Sequence, residues 1–274
     1  MSSSYTWPPT GRAITAASNV RIDNFKTNLL TRLQGIEYYL SMEMDRRSQR
    51  LYGSVLCSSG AMQVFKLETL KKIGGYHTAP QVPEDMEITW RLHKEGKVEM
   101  NHEVVGYTAA PDTIKKLFFQ RLQWMKLGVI CMVLHRKGIF NRRYGMLGMI
   151  GIPIKVFMTL RSLIGVGVKG YTSFVLSWDH QVMSLLFLFL MLSMIQFSLD
   201  LLLIYLVRPV AKEKQGACQW FLLPFFSSVY QPIICCVRLI AIASAVNWLA
   251  AEQFRKRHRR PFVPKVSTKD IKTK

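Results

Sequence analysis

Two acidic residues at the start of a predicted helix are the first candidates for chemistry in this chain. Glu84 and Asp85 follow Pro83, and the positive end of a helix stabilises a carboxylate that can accept a proton as a general base. Both residue types also cap helices, and the pair taken alone favours that structural role. Asp85 and Glu87 point about 200° apart on a helix, so they predict no metal site.

A Gln/Arg/Trp cluster further along the chain supplies groups that would complement this base. Gln120 and Trp124 lie one turn apart on a predicted helix and share a face, which gives a pocket wall with an amide and a stacking surface. Gln123 also shares a face with Gln120, while Arg121 turns aside and adds a positive charge. The alternative, left open by the residues alone, is a helix with a buried Trp and solvated polar neighbours.

Small and sulfur-containing residues add less specific information. Ser59 and Gly60 predict a tight turn that would allow a ligand to approach closely, although any turn after a strand would look the same. The histidines have no ligand spacing, so no metal ligands are predicted. The cysteines form no CxxC pair, which predicts reduced, buried thiols rather than disulfides; they are Cys57, Cys131, Cys218, Cys235 and Cys236.

Charge and hydrophobicity are both high and both clustered. The 274 residues carry a formal net charge of +20 and are 49% hydrophobic, which argues against a simple soluble enzyme. An anionic lipid surface or a phosphorylated substrate would suit this charge. Nucleic acid is not expected, because no zinc-finger, homeodomain or RNP pattern accompanies the charge. The first ten residues have no basic and no apolar region, so no signal peptide is expected.

Alternating patterns predict an α/β domain over residues 1–143, with the candidate residues on its loops and helices. The predicted strands are Ala13–Val20, a strand within Leu51–Val64 ahead of a turn at 58–60, and Val98–Tyr107. The predicted helices are Asn28–Arg50, Leu67–Ile73 (ended by Gly74 and Gly75), Glu84–Glu95 and Thr113–Leu134.

Residues 144–253 predict a membrane region, with spans at about 144–168, 182–207 and 220–251. The second is the strongest, with Asp200 as the only ionised side chain in 26 residues; a packing role and a pore role remain open for it. The third contains two prolines, so it predicts a single tilted span, a broken helix or a hairpin. The tail 254–274 has nine Lys/Arg and one Asp, which predicts a cytoplasmic location.

Six short motifs occur in one order ahead of these apolar segments. They are Leu33–Tyr38, Ser59–Ala61, Ile73–Tyr76, Glu84–Asp85, Pro111–Thr113 and Gln120–Trp124. Their order resembles that in the processive glycosyltransferases of family 2, in particular the bacterial poly-β-1,6-N-acetylglucosamine synthases, with hyaluronan and cellulose synthases as relatives. The resemblance implies a partial GT-A-like α/β domain followed by transmembrane helices in a multi-pass plasma-membrane protein, with the catalytic part cytoplasmic.

The resemblance also implies roles for individual residues. Asp85 would be the base that activates an acceptor hydroxyl for inverting transfer of a hexose or N-acetylhexosamine from a UDP-sugar to a growing β-linked polysaccharide. Trp124 would be a platform for a sugar ring, and Gln120 would begin the Gln-x-x-Arg-Trp motif beside the acceptor and the donor diphosphate. This chain has Gln123 where the family has Arg, and Arg121 replaces that charge only in part.

The family's donor-binding residues have no evident counterpart in this sequence. In the family, an early Asp and an Asp-x-Asp motif hold uridine and a divalent metal, Mg²⁺ or Mn²⁺. Residues 1–30 of this chain contain a lone Asp23 instead. The Rossmann-like nucleotide half is therefore expected to be missing, and the chain alone is expected to be inactive. The two hypotheses are a membrane glycosyltransferase and an inactive remnant or split subunit that needs a separate donor-binding half. A basic membrane-binding protein of other descent fits the ordered motifs poorly.

Overall fold

A computed structural model of the chain describes residues 13–77, 82–160, 182–207 and 221–258. The strands are β1 (Ala13–Ile22), β2 (Gln63–Phe65) and β3 (Lys97–Thr108). The helices around them are α1 (Leu29–Leu40), α2 (Arg47–Leu51), α3 (Leu67–Lys72), α4 (Glu84–Leu92) and α5 (Ile114–Leu134). The later helices are α6 (Leu147–Leu160), α7 (Val182–Val207), α8 (Leu223–Phe225) and α9 (Gln231–His258).

Some predicted features lie outside the described residues. They are residues 1–12, the end of the first predicted span at 161–168, the 170–181 loop, the basic 208–215 segment, Cys218 and the tail beyond His258.

The sheet has three strands in the order β2-β1-β3. β1 pairs in parallel with β3 and antiparallel with β2, with Thr15 opposite Val98 on one side and Phe65 on the other. Every residue of β1 is buried, as expected for a central strand that neighbours cover on both sides. The mixed α/β class and the strands over Ala13–Val20 and Val98–Tyr107 are therefore confirmed.

The strand predicted ahead of the 58–60 turn is wrong, because the strand of this region follows the turn as β2. Residues 54–59 lie along α4 instead, and side chains of that helix bond their backbone. Thr89 Oγ1 accepts from the Ser58 N–H at 3.0 Å, and the Trp90 indole N–H donates to the Leu56 carbonyl oxygen at 2.8 Å. These bonds satisfy backbone groups that a strand ladder would otherwise satisfy.

The helix predicted over Asn28–Arg50 is confirmed as α1 and α2, which are joined by a π-helical segment at Ser41–Arg46. The Asn28 side chain caps α1 by accepting from the Thr31 N–H at 2.9 Å. Within the π segment, Glu43 is buried and pairs with Arg21 of β1 and with Arg47 of α2. This ion-pair cluster ties the helix to the sheet.

Among the residues that the structure describes, two helices are long and apolar enough to cross a membrane by length and composition, namely Ile114–Leu134 and Leu223–Glu252. The first is α5, which also carries Gln120 and Trp124. α7 forms one helix of 26 residues over the second predicted span. Its Asp200 is buried and accepts hydrogen bonds from Ser227 Oγ at 2.5 Å and Gln196 Nε2 at 3.0 Å, which is a packing role.

The last apolar block was predicted as a single tilted span, a broken helix or a hairpin, and the structure excludes the hairpin, since α8, a π turn at Phe226–Tyr230 and α9 form one helical run. Pro224 lies in the first turn, where its missing N–H breaks no helical hydrogen bond. Pro232 is the second residue of α9, one position after the π turn, whose wider backbone relieves the clash of the proline ring with the preceding turn.

Candidate functional site

A cavity of about 310 Å³ opens between the sheet, α1, α4 and α5. It contains five of the eight residues predicted for the site, together with residues from the carboxyl ends of the parallel strands β1 and β3, where sites in α/β sheets commonly form. The lining residues are Val20, Tyr38, Ser59, Gly60, Ala61, Asp85, Thr108, Ala109, Gln120 and Trp124.

Asp85 supplies the one carboxylate among the described residues that line this cavity. The residue that caps α4 is Pro83, which contributes no side-chain hydrogen bond, and Asp85 lies in the first turn. Its Oδ1 accepts from the Met86 N–H at 2.7 Å, and its Oδ2 accepts from the Gly60 N–H at 3.3 Å. The carboxylate therefore bridges the start of α4 and the small-residue turn, at the wall of the cavity.

The turn at Gly60 lies close to this carboxylate. A Cβ added to Gly60 would lie 3.6 Å from both Cβ and Oδ2 of Asp85. These are ordinary van der Waals distances, so the close approach of a ligand at this turn stays a prediction.

Cys57 lies beside Asp85 on the segment that runs along α4. Burial, and secondly the Asp85 carboxylate, raise the pKa of the Cys57 thiol to about 12. The thiol is therefore neutral at physiological pH. Cys57, Cys131 and Cys235 are buried or half-buried free thiols, but Cys236 is exposed, so the prediction that all thiols are buried is wrong.

Trp124 presents its ring to the cavity while Arg121 lies behind it. The Trp124 side chain is 47% exposed, whereas Arg121 is 4% exposed and its guanidinium carbon lies 4.7 Å from the centre of the Trp124 ring. That distance is a cation–π contact, which holds the ring from one side. Arg121 therefore lies outside the set of lining residues and acts on the cavity through Trp124.

Glu37 holds Arg121 in this position. Its Oε2 accepts from Arg121 NH2 at 2.7 Å and from the Tyr230 hydroxyl at 2.6 Å. Tyr230 belongs to the π turn between α8 and α9. Glu37 thus joins α1, α5 and the last helical run directly behind the cavity wall.

The other predicted site residues divide between the cavity and the surface. Gln120 lines the cavity, and its Oε1 is buried without a hydrogen-bond partner among the described residues. Gln123 and Glu84 are exposed and do not line the cavity. Their positions follow from helix geometry, since each is one residue away from a residue that does line it.

Sequence reasoning assigned no role to Tyr38, which forms part of the cavity wall. Burial raises the pKa of its phenol, so the hydroxyl stays protonated and available as a donor. Thr108 and Ala109 were also missed; the end of a parallel strand was the feature that would have indicated them.

The described residues do not form a metal site of their own. No three His, Cys, Asp or Glu side chains in the described ranges lie close enough together to hold an ion. Mg²⁺ is usually held by one or two carboxylates together with substrate phosphates, and Asp85 supplies a single carboxylate among the described residues that line the cavity.

Comparison with known proteins identifies the family of the chain. The sequence model described as glycosyl transferase family group 2 matches residues 13–246. The chain belongs to this glycosyltransferase family. Since the match includes β1 at one end and most of α9 at the other, the sheet, the cavity and the later helices all fall within the family's pattern.

The chain is also similar to poly-beta-1,6-N-acetyl-D-glucosamine synthases from two staphylococci. It is 32% identical to the protein of Staphylococcus epidermidis over 111 residues, which is 40% of this chain and 26% of that protein. The figures for the protein of Staphylococcus aureus (strain COL) are the same. The matched segment thus spans about a quarter of the length of these relatives.

Proposed function

We propose that this family 2 glycosyltransferase chain binds the growing end of a β-linked polysaccharide in the Asp85 cavity and activates the acceptor hydroxyl there. The observation that supports this most directly is the geometry of that cavity. It brings a carboxylate, an amide side chain and an exposed indole face together around a cavity of about 310 Å³. Such a cavity has room for a sugar ring, which binds by stacking on aromatic faces and by hydrogen bonds to its hydroxyls.

In the proposed mechanism Asp85 is the general base. The acceptor oxygen attacks the anomeric carbon of a UDP-sugar from the face opposite the nucleotide, the bond to the diphosphate breaks, and the configuration inverts. The proton of the acceptor hydroxyl passes to Asp85 as the new bond forms. The Gly60 and Met86 N–H groups fix the direction of the carboxylate, so little reorganisation accompanies the transfer.

Donor binding is assigned to no described residue. Family members commonly use a divalent metal, Mg²⁺ or Mn²⁺, to balance the charge of the diphosphate. The alternative function is therefore a split subunit that contributes the acceptor site and relies on a separate donor-binding half. Assays of sugar transfer with this chain alone, and with the polypeptide encoded immediately upstream added, distinguish the two. Transfer by the chain alone would contradict the split-subunit alternative.

The proposal also includes a membrane location and a GT-A-like arrangement of the α/β part. Support for the membrane comes from two helices of sufficient length and apolarity, from α7 and from the basic composition. The domain boundaries after residues 143 and 253 remain predictions. So does the cytoplasmic location of the α/β part and of the tail. Cysteine-accessibility labelling from each side of sealed vesicles tests them.

Binding of an acceptor oligosaccharide tests the proposed function without a donor. The probe is a β-1,6-linked N-acetylglucosamine oligosaccharide, titrated into the purified full chain by calorimetry. Trp124→Ala and Gln120→Ala are expected to weaken binding about tenfold or more, since each removes on the order of 1.4 kcal/mol. The matched control is Gln123→Ala, an exposed neighbour outside the cavity. Equal losses in the control and in the cavity variants would contradict the proposal.

A further inference from the structure

The loop at residues 136–143 presents an apolar tip between pairs of cations. Ile139 and Phe140 are exposed, with the Phe140 side chain at 69%. Arg136 and Lys137 precede the tip, Arg142 and Arg143 follow it, and all four are exposed. The tip therefore offers apolar surface ringed by positive charge, a combination that an aqueous environment does not favour.

The backbone of the 136–143 loop is held in one shape. The Phe140 N–H donates to the Gly148 carbonyl oxygen at 3.0 Å, and the Asn141 side chain bonds both the Lys137 carbonyl and the Arg143 N–H at 3.0 Å. A Cβ at Gly148 would lie 2.3 Å from the Asn141 carbonyl oxygen. The loop and the start of α6 are thus packed backbone to backbone.

Phe140 also adopts an unfavourable backbone conformation. Its φ is 54°, and it is the only described residue other than glycine with a positive φ. A bulky side chain enters this left-handed region at a steric cost, and the exposed ring recovers little of that cost through packing within the chain. Strain of this kind persists where the surrounding structure holds the residue in that conformation, and such sites are frequently functional.

The charge around the loop is one-sided over a long stretch. Between Asp112 and Asp179 the sequence has eleven Lys and Arg and no Asp or Glu. After the loop, α6 exposes Ile154, Phe157 and Met158, which share one helix face. Basic residues interleaved with exposed aliphatic and aromatic side chains are typical of segments that lie in a membrane interface.

We infer that the 136–143 loop docks on an anionic phospholipid surface, with Ile139 and Phe140 inserted among the lipids and the four cations against their headgroups. The occupant is a lipid surface rather than a soluble polyanion, because the centre of the charged ring is apolar. This inference does not depend on the proposed glycosyl transfer.

Photocrosslinking at the tip tests the inference. The full chain carrying Phe140→p-benzoylphenylalanine is reconstituted into nanodiscs of phosphatidylglycerol and phosphatidylcholine, irradiated, and its lipid adducts are identified by mass spectrometry. Ile139→p-benzoylphenylalanine is a second probe that leaves the strained position unchanged. Tyr107→p-benzoylphenylalanine is the matched control, since Tyr107 is an aromatic residue of similar exposure (61%) on β3.

We expect lipid adducts from the crosslinker at positions 140 and 139, enriched in phosphatidylglycerol, and few lipid adducts from the crosslinker at position 107. The double change Arg142→Gln/Arg143→Gln should lower the enrichment on the order of fivefold for each arginine removed, while Lys71→Gln/Lys72→Gln on α3 should leave it unchanged. Higher salt should lower it as well. Adducts only with protein, equal lipid labelling at 107, or enrichment that survives loss of the arginines would overturn the inference.

Discussion

Replacing Glu37 by Gln tests the hydrogen-bonded group behind the cavity wall. Glu37 accepts from the buried Arg121 guanidinium at 2.7 Å and from the Tyr230 hydroxyl at 2.6 Å on the same oxygen. Glu37→Gln preserves shape but leaves Arg121 without its counter-charge, and breaking a buried pair in this way costs about 3–5 kcal/mol. Because the Glu37 side chain is 29% exposed, water replaces part of the lost interaction, and we expect a cost near the lower value.

Tyr230→Phe is the graded comparison. It removes one hydrogen bond to a charged group, which costs about 1.5–3 kcal/mol, and it leaves the Arg121–Glu37 pair in place. The predicted loss of unfolding free energy is therefore larger for Glu37→Gln than for Tyr230→Phe. The double variant should lose less than the sum, because both changes act on one carboxylate oxygen.

Thermal unfolding of the purified full chain in nanodiscs, combined with the oligosaccharide titration, measures both consequences. Glu37→Gln should lower the melting temperature and weaken acceptor binding, since Arg121 no longer holds Trp124. Glu68→Gln, an exposed carboxylate on α3, is the control and should change stability by no more than about 0.5 kcal/mol. A neutral Glu37→Gln, or a larger effect for Tyr230→Phe, would refute the reasoning.

Three further predictions concern the sheet, pH and the cavity. Glu43→Gln should cost several kcal/mol, roughly 3–5, because two arginines lose their shared carboxylate; an unchanged melting temperature would contradict this. Burial lowers the pKa of His93 and of His102 to about 4. As the pH falls, these histidines therefore become protonated in the unfolded chain before they do so in the folded chain. Stability should fall as the pH drops from about 6.5 to 4, by at most about 1.4 kcal/mol per pH unit for each histidine; His102→Gln should reduce that slope in melts at several pH values, and an unaltered slope would exclude the assignment. Trp124→Ala should weaken oligosaccharide binding while leaving the melting temperature within about 3 °C, because half of the ring is already exposed; a large drop in melting temperature would show that the ring is structural.

Local patterns predicted the elements around the cavity well. Helical spacing predicted α1 and α5, a short apolar run predicted β1, and alternation predicted β3. The relation of Gln120 to Trp124 followed from the helix repeat alone, which also set Arg121 aside from the cavity. These features depend on neighbours along the chain, so the sequence pattern contains them.

Features that depend on distant partners were missed. The segment 54–59 has the apolar composition of a strand, but Thr89 and Trp90 from α4 take its backbone hydrogen bonds. The link from Glu37 to Tyr230 joins residues 193 positions apart, and nothing near either residue indicates it. The sequence left a single span, a broken helix and a hairpin open for the last block, because proline counts alone do not show where a π turn relieves the strain.

Turnover by Asp85→Asn measures the central claim most directly. The assay follows incorporation of labelled sugar from a UDP-sugar in membranes that contain the full chain, alone and together with any polypeptide encoded immediately upstream. Asp85→Asn should lower kcat about 10²–10⁴-fold and leave the donor KM unchanged, because the base acts on the acceptor proton. Glu84→Gln, its exposed neighbour outside the cavity, should stay within a few-fold of the unsubstituted chain. Retained turnover in Asp85→Asn, or an equal loss in Glu84→Gln, would contradict the assignment of Asp85 as the base.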